Sequence, residues 1–188
     1  MSELPIFYRS SGIIKGVYLP SEKRFYKGVL ITNEGIFPAS LARNIVKFFK
    51  HRKPRKTRQT LKREHLFVCW VYGIDQPPFY EMRLIGRKGL NAELPSLLPE
   101  NNTFITQGIV AEKTSEKVIL RVQRNPNPER TKEKIERSVT FIEIRDCPGK
   151  VRRSQFWFFR STLKDGYLHC TEAEILALAK TAKKYITK

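Results

Sequence analysis

From Gly12 onward the chain is cut into apolar runs of strand length, and glycines fall inside the runs as well as between them. GIIKGVYL (12–19) and FYKGVLIT (25–32) flank PSEKR, a polar turn opened by Pro20, and that spacing predicts a hairpin. Gly12, Gly16 and Gly28 lie within these runs. Glycine inside a strand marks a bulge or a bend, so the expected sheet is coiled or barrel-like. HLFVCWVYGI (65–74) and FYEMRLIG (79–86), joined by DQPP, form a second hairpin pattern. The first of these is apolar on both sides of the alternation, as in a central strand. TFITQGIVAEK and KVILRVQRN make a third hairpin, and VTFIEIRD and SQFWFFRSTL follow as further strands.

Two helices are expected among them. SLARNIVKFFKH has Ser40 as a candidate N-cap and Leu41, Ile45, Phe48 and Phe49 on one face, with Pro54 to end it. TEAE at Thr171–Glu174 is a capping box, and Ile175, Leu178, Ala179, Ala182 and Ile186 make an apolar stripe, predicting a closing helix over 171–187. The fold class is therefore α+β and β-rich.

LPSLLPENN (94–102), with two prolines and two asparagines, is the best linker, dividing a β-rich module over 1–93 from a second over 103–188. A short echo joins the halves: GIIKGVYLPSEK and GIVAEKTSEK both run from Gly-Ile through a Ser-Glu-Lys turn. Short strands bent by glycine, an intervening helix and a basic aromatic surface make the chain similar in architecture to the OB-fold. The resemblance covers both halves loosely and implies one or two small antiparallel barrels that bind nucleic acid. It carries no motif and assigns no residue.

Charge is the outlying quantity. The 188 residues hold 36 Lys or Arg against 18 Asp or Glu, a net +18. Between Gly35 and Arg63 there are ten Lys or Arg and no acid, so this window alone supplies +10. Arg43, Lys47 and Lys50 fall three to four apart on the expected helix; Arg52, Lys53, Arg55, Lys56, Arg58, Lys62 and Arg63 follow in an expected loop. Solubility alone is served by mixed signs, and like charges at helical spacing repel unless an anion lies against them. A phosphate backbone answers both points.

Aromatic residues interleave with basic ones in RRSQFWFFRS (152–161) and KRFYKG (23–28). Single strands are held by a basic groove with rings on which bases stack. Tyr26 and Trp157 are the expected stacking rings, because tyrosine tolerates a wet edge and phenylalanine is the more natural core residue. Arg152, Arg153 and Arg160 are the cations beside Trp157. RNP, KH and zinc-finger signatures are missing, so target sequence is not legible.

Catalytic patterns are thin. Glu143 and Asp146 in FIEIRD could hold a divalent metal for a nuclease, but on a strand they point to opposite faces and Arg145 is an available ion partner. His169 and Cys170 are adjacent and diverge; His65 and Cys69 share a face of an apolar strand. Phosphate-loop, dinucleotide and metalloprotease motifs do not occur, so no cofactor and no metal site is expected. Cys69, Cys147 and Cys170 are an odd, widely spaced set that suits a reducing compartment. MSELPIFYRS lacks a signal-peptide pattern and no run reaches membrane-spanning length, so a cytoplasmic protein without membrane attachment is expected. The expectation is a non-catalytic binder of RNA or single-stranded nucleic acid, alone or as a small ribonucleoprotein subunit with protein partners. A subunit that binds an acidic protein and a metal-dependent nuclease are the alternatives.

Overall fold

The computed structural model describes residues 8–50, 63–76, 79–87, 101–123 and 139–178. The chain divides into two compact units: 11–104 with 163–166, and 1–10 with 105–162 and 167–188.

The first unit holds β1 (Arg9–Pro20, its first two residues belonging to the other unit), β2 (Lys27–Thr32), β3 (Gly35–Leu41), α1 (Arg43–Lys50), β4 (His65–Gly73) and β5 (Tyr80–Arg87). Antiparallel pairs β1–β2, β2–β3, β4–β5 and β1–β4, with the parallel pair β3–β5, close these five strands into a ring. This is the OB-like barrel. Alternation supplies its core: Ile14, Tyr18, Leu30, Phe37, Ala39, Cys69, Val71, Met82 and Leu84 are buried.

Every strand of the ring has two partners, and β1 serves its two in succession, changing over at Gly16. Ser11 through Gly16 pair with β4, and Val17 through Pro20 pair with β2. A Cβ on Gly16 would lie 2.5 Å from the Ile31 carbonyl oxygen of β2. Glycine is needed there for close backbone approach.

The helix starts later than the sequence predicts. Ser40 is in β3, where its hydroxyl faces Glu81 Oε1 at 3.5 Å, so it is not the cap. The Ala42 amide instead donates to the Leu84 carbonyl at 2.8 Å and the Asn44 side chain to Ile85 at 2.8 Å, tying the start of α1 to β5. Strand pairing of Ser40 with Lys27 and Arg83 outweighs its capping preference.

The second unit is also a closed ring: β6 (Thr103–Lys113, its first two residues counted with the first unit), β7 (Lys117–Val122), β8 (Thr140–Arg145), β9 (Phe156–Lys164) and β10 (Tyr167–Ala177), ordered β6-β7-β8-β10-β9 with β9 returning to β6. Its closure likewise uses one parallel pair, β8–β10. Gly108 stands where Gly16 stands, one residue before the pairing Ile109↔Arg121 begins, with its Cβ position 2.6 Å from the Arg121 carbonyl oxygen. The structural match to Gly108 is thus Gly16 and not Gly12, while both Ser-Glu-Lys tripeptides stand at the turn after the first strand. Between β8 and β9 the connection buries Val151, and Lys113 Nζ donates to the carbonyls of Gly149 at 2.6 Å and Val151 at 3.0 Å.

The closing helix is corrected outright over its first half. Thr171–Ala177 is the end of strand β10. Thr171 donates its hydroxyl to the Arg160 carbonyl at 3.1 Å and Glu172 pairs with Arg160 at 2.9 Å, so cross-strand partners replace the capping box. Ring closure supplies backbone partners that outweigh a strong helix propensity. Ala179, Ala182 and Ile186 lie outside the described residues.

Gly16→Ala and Gly108→Ala should each cost about 1–3 kcal/mol of stability, as an overpacked contact does, measured by chemical denaturation. Burial pushes the Cys69 thiol from 9.0 up to about 12 and also raises the Tyr18 phenol. Both are protonated in the fold, so the stability they contribute is complete below pH 9 and is lost as pH climbs toward 12. The unfolding midpoint should fall across that window, and less steeply in Cys69→Ala.

Candidate nucleic-acid interface

The inward residues of β2 through β5 are the core, so their alternates face out. Register aligns four of these alternates in one row. Lys27 of β2 is opposite Ser40 of β3, Ser40 is opposite Arg83 of β5, and Arg83 is opposite Trp70 of β4. Three strand spacings separate the ends, roughly 14 Å. Trp70 is 38% exposed, and the Arg83 guanidinium lies 5.9 Å over its ring, a cation–π contact.

Around the Lys27 end the charge thickens. Tyr26 is 38% exposed, meets Phe25 edge-on at 6.3 Å, and accepts the Leu41 amide at 2.8 Å through its carbonyl. That bond places Tyr26 beside the end of β3, where α1 begins with exposed Arg43 and, a turn later, exposed Lys47. Lys23 and Arg24 are exposed in the β1–β2 turn, which the Ser21 hydroxyl braces through the Arg24 amide and carbonyl at 3.1 Å. Glu81, opposite Tyr72, is an acid on the same outer face.

The structure thus gathers Tyr26, Arg43 and Lys47 from the expected set onto one barrel. Arg63 is exposed just before β4. Lys50 ends α1; its side chain lies outside the described residues, as do Arg52, Lys53, Arg55, Lys56, Arg58 and Lys62 altogether. Arg152, Arg153, Trp157 and Arg160 belong to the other unit. Arg152 and Arg153 are exposed, and Arg153 donates from Nε to the Ala111 carbonyl at 3.1 Å. Arg160 is paired with Glu172.

Trp157 is corrected. It is 2% exposed, its indole N–H donates to Gln155 at 3.0 Å, and its ring lies 6.0 Å from that of Phe159. Phe156, Phe158 and Phe159 are buried too. Both faces of β9 are covered, so neither set of rings is presented for stacking.

Sequence reasoning missed Lys27, Trp70 and Arg83. Trp70 sits in a run read as apolar on both faces, although its neighbours Cys69 and Val71 are the inward pair. Its meeting with Arg83 depends on a β-bulge, where the register shifts between Val68 and Cys69.

The carboxylates considered for metal chemistry are occupied. Glu143 pairs with Lys117 at 2.8 Å and Arg145 at 3.2 Å, and its hydrogen bond holds the Lys117 ammonium above the usual lysine value. Arg145 also lies 3.2 Å over the Tyr167 ring. Asp146 pairs with His169 at 2.6 Å. Cys69 is buried with its thiol toward the Gly12 carbonyl at 3.6 Å, and His65 meets Phe67 edge-on at 5.8 Å. Among the described residues no three metal-ligating side chains come together, and no helix is long and apolar enough to cross a membrane.

A crystal structure of a deletion mutant of the single-stranded DNA binding protein from Thermus aquaticus is similar to this chain with a TM-score of 0.44 and 10% identity, covering 90% of this chain and 95% of that one. No protein-family model matches the chain, and no curated protein does.

Trp70 and Trp157 are the two tryptophans, so each single substitution isolates the other's fluorescence. In Trp70→Phe the remaining emission should resist acrylamide, and in Trp157→Phe it should be quenched. Trp157→Ala should lose about 3–5 kcal/mol of stability, as large core truncations do.

Proposed function

We propose that this chain binds single-stranded nucleic acid, RNA or DNA, on the outer face of its first barrel and does so without catalysis of its own. The row Lys27–Ser40–Arg83–Trp70 is the observation that carries the reading. It offers what a single strand requires: a partly exposed ring, a guanidinium over it, a hydroxyl, and cations along one side. Tyr26 extends the ring surface, and Arg43 and Lys47 extend the charge. The basic run from Lys47 to Arg63 leaves the barrel with α1 and rejoins it at β4, so its phosphate-binding charge is tethered at both ends to the same unit.

Neutralising phosphates releases condensed counterions, which makes affinity salt-dependent. If about five of the basic side chains engage, log K against log salt has a slope of roughly −3.5. A labelled single-stranded oligonucleotide, RNA and DNA in parallel, should bind with that slope in an anisotropy titration. Trp70→Ala should weaken binding by about 5- to 150-fold, the value of one stacked base. Arg83→Ala should weaken it and flatten the slope. Oligonucleotide left intact in magnesium is expected; cleavage abolished by Glu143→Gln would make the chain a nuclease instead. Affinity unchanged in both surface variants would move the site elsewhere. No binding at low salt, with an acidic protein retained through nuclease treatment, would make it an interaction subunit.

A further inference from the structure

The second barrel carries a pair of thiols that nucleic-acid binding does not use. Parallel pairing of β8 and β10 sets His169 opposite Arg145. Asp146 follows in left-handed backbone, φ 55°, and its carboxylate meets His169 Nδ1 at 2.6 Å across the seam. One residue further on each chain are Cys147 and Cys170, both half-buried, unbridged and hydrogen-bonded to each other. Cys147 Sγ also lies 3.5 Å from the Ile144 carbonyl oxygen, and Cys170 Sγ lies 3.5 Å from that of Glu172.

The two sulfurs are chemically unequal. The Cys147 thiol donates to Cys170 and holds it below the ordinary thiol value, against burial and against the nearby Asp146 and Glu172 carboxylates. The same bond, with burial and Asp146, pushes Cys147 up, with Lys113 opposing weakly. A half-buried sulfur biased toward its thiolate, beside a thiol biased toward its protonated form, is the arrangement of a reactive cysteine with a resolving one.

We propose that Cys170 and Cys147 are a modification site for peroxides, at which oxidation closes a reversible disulfide between β10 and the end of β8. The Cys170 sulfur attacks one oxygen of hydrogen peroxide and the O–O bond breaks. Cys170 becomes a sulfenic acid, and the departing hydroxide takes up a proton as water. The Cys147 sulfur then attacks the Cys170 sulfur, the S–O bond breaks, and the hydroxyl leaves with the Cys147 proton as a second water. Two thiols are oxidised and one peroxide is reduced. The sulfurs must close from hydrogen-bond contact to roughly 2.05 Å, and residues 146–150 lie outside any strand, where the chain can follow.

The test is a stoichiometric hydrogen peroxide treatment of the full chain, followed by alkylation, digestion and mass mapping. The expected product joins Cys147 to Cys170 with loss of two hydrogens and reverts with dithiothreitol. Cys69 should stay protected until the protein is denatured, which reports that oxidation took place on folded protein. In Cys147→Ser the Cys170 sulfenic acid should persist and be trapped by dimedone, and in Cys170→Ser Cys147 should remain a thiol. Cys170 running to sulfinic acid without a disulfide in the unaltered chain would overturn the proposal. So would two unchanged thiols at a peroxide level that oxidises free cysteine, or a Cys147 that reacts equally well without Cys170.

Discussion

Everything in the first barrel depends on β1 changing partner at Gly16. A five-stranded sheet that stays open leaves two edges with unpaired backbone groups. Here β1 pairs with β4 through residues 11–16 and with β2 through residues 17–20, so one strand closes both ends of the sheet. The crossing brings backbone against backbone at the Ile31 carbonyl, and a side chain at Gly16 would occupy that contact. Gly108 meets the Arg121 carbonyl oxygen of the second ring in the same way.

Closure decides the interface as well. In a ring the inner alternates fill the core, and on β2, β3 and β5 the outer alternates are left partly open. Phe37, Ala39, Met82 and Leu84 are buried because they point inward; Ser40 and Arg83 point outward for the same reason. The parallel β3–β5 pair and the register shift between β4 and β5, where Ile85 is the extra residue, then bring Lys27, Arg83 and Trp70, separated by long stretches of sequence, into one row. Strand pairing makes the site, and the individual residues are ordinary.

This explains what was legible. Strand runs, hairpin turns and in-strand glycines follow from local chemistry, and they were enough to indicate a bent, closed sheet. Thr171 to Leu178 was misread because its helical stripe is a true local preference that pairing with β9 and β8 overrides. Trp157 was misread because residue type singles out phenylalanine as the core ring, whereas whether a strand's second face is covered depends on residues remote in sequence, such as Tyr8, whose ring packs 5.2 Å from Phe156. Trp70 stayed hidden for the converse reason: it lies in a continuous apolar run, and its meeting with Arg83 depends on a register shift that no residue type announces.

Charge placement favours the first barrel over the second for the proposed binding of phosphates. A cation already held by a carboxylate must give up that partner before it can meet a phosphate, and the exchange cancels most of the gain. In the second ring Lys117 and Arg145 share Glu143, and Arg160 is held by Glu172. Phe141 is 53% exposed there and opposite Arg121, but it stands on the strand that also carries Glu143. On the first ring, among the described residues, Lys27, Arg43 and Lys47 have no carboxylate partner, and Arg83 is engaged by a ring. Aromatic exposure alone does not separate the two barrels. The first barrel offers exposed rings at Tyr26 and Trp70 together with Lys27, Arg43 and Lys47 on its outer side, and a polyanion with stacking bases needs both at once.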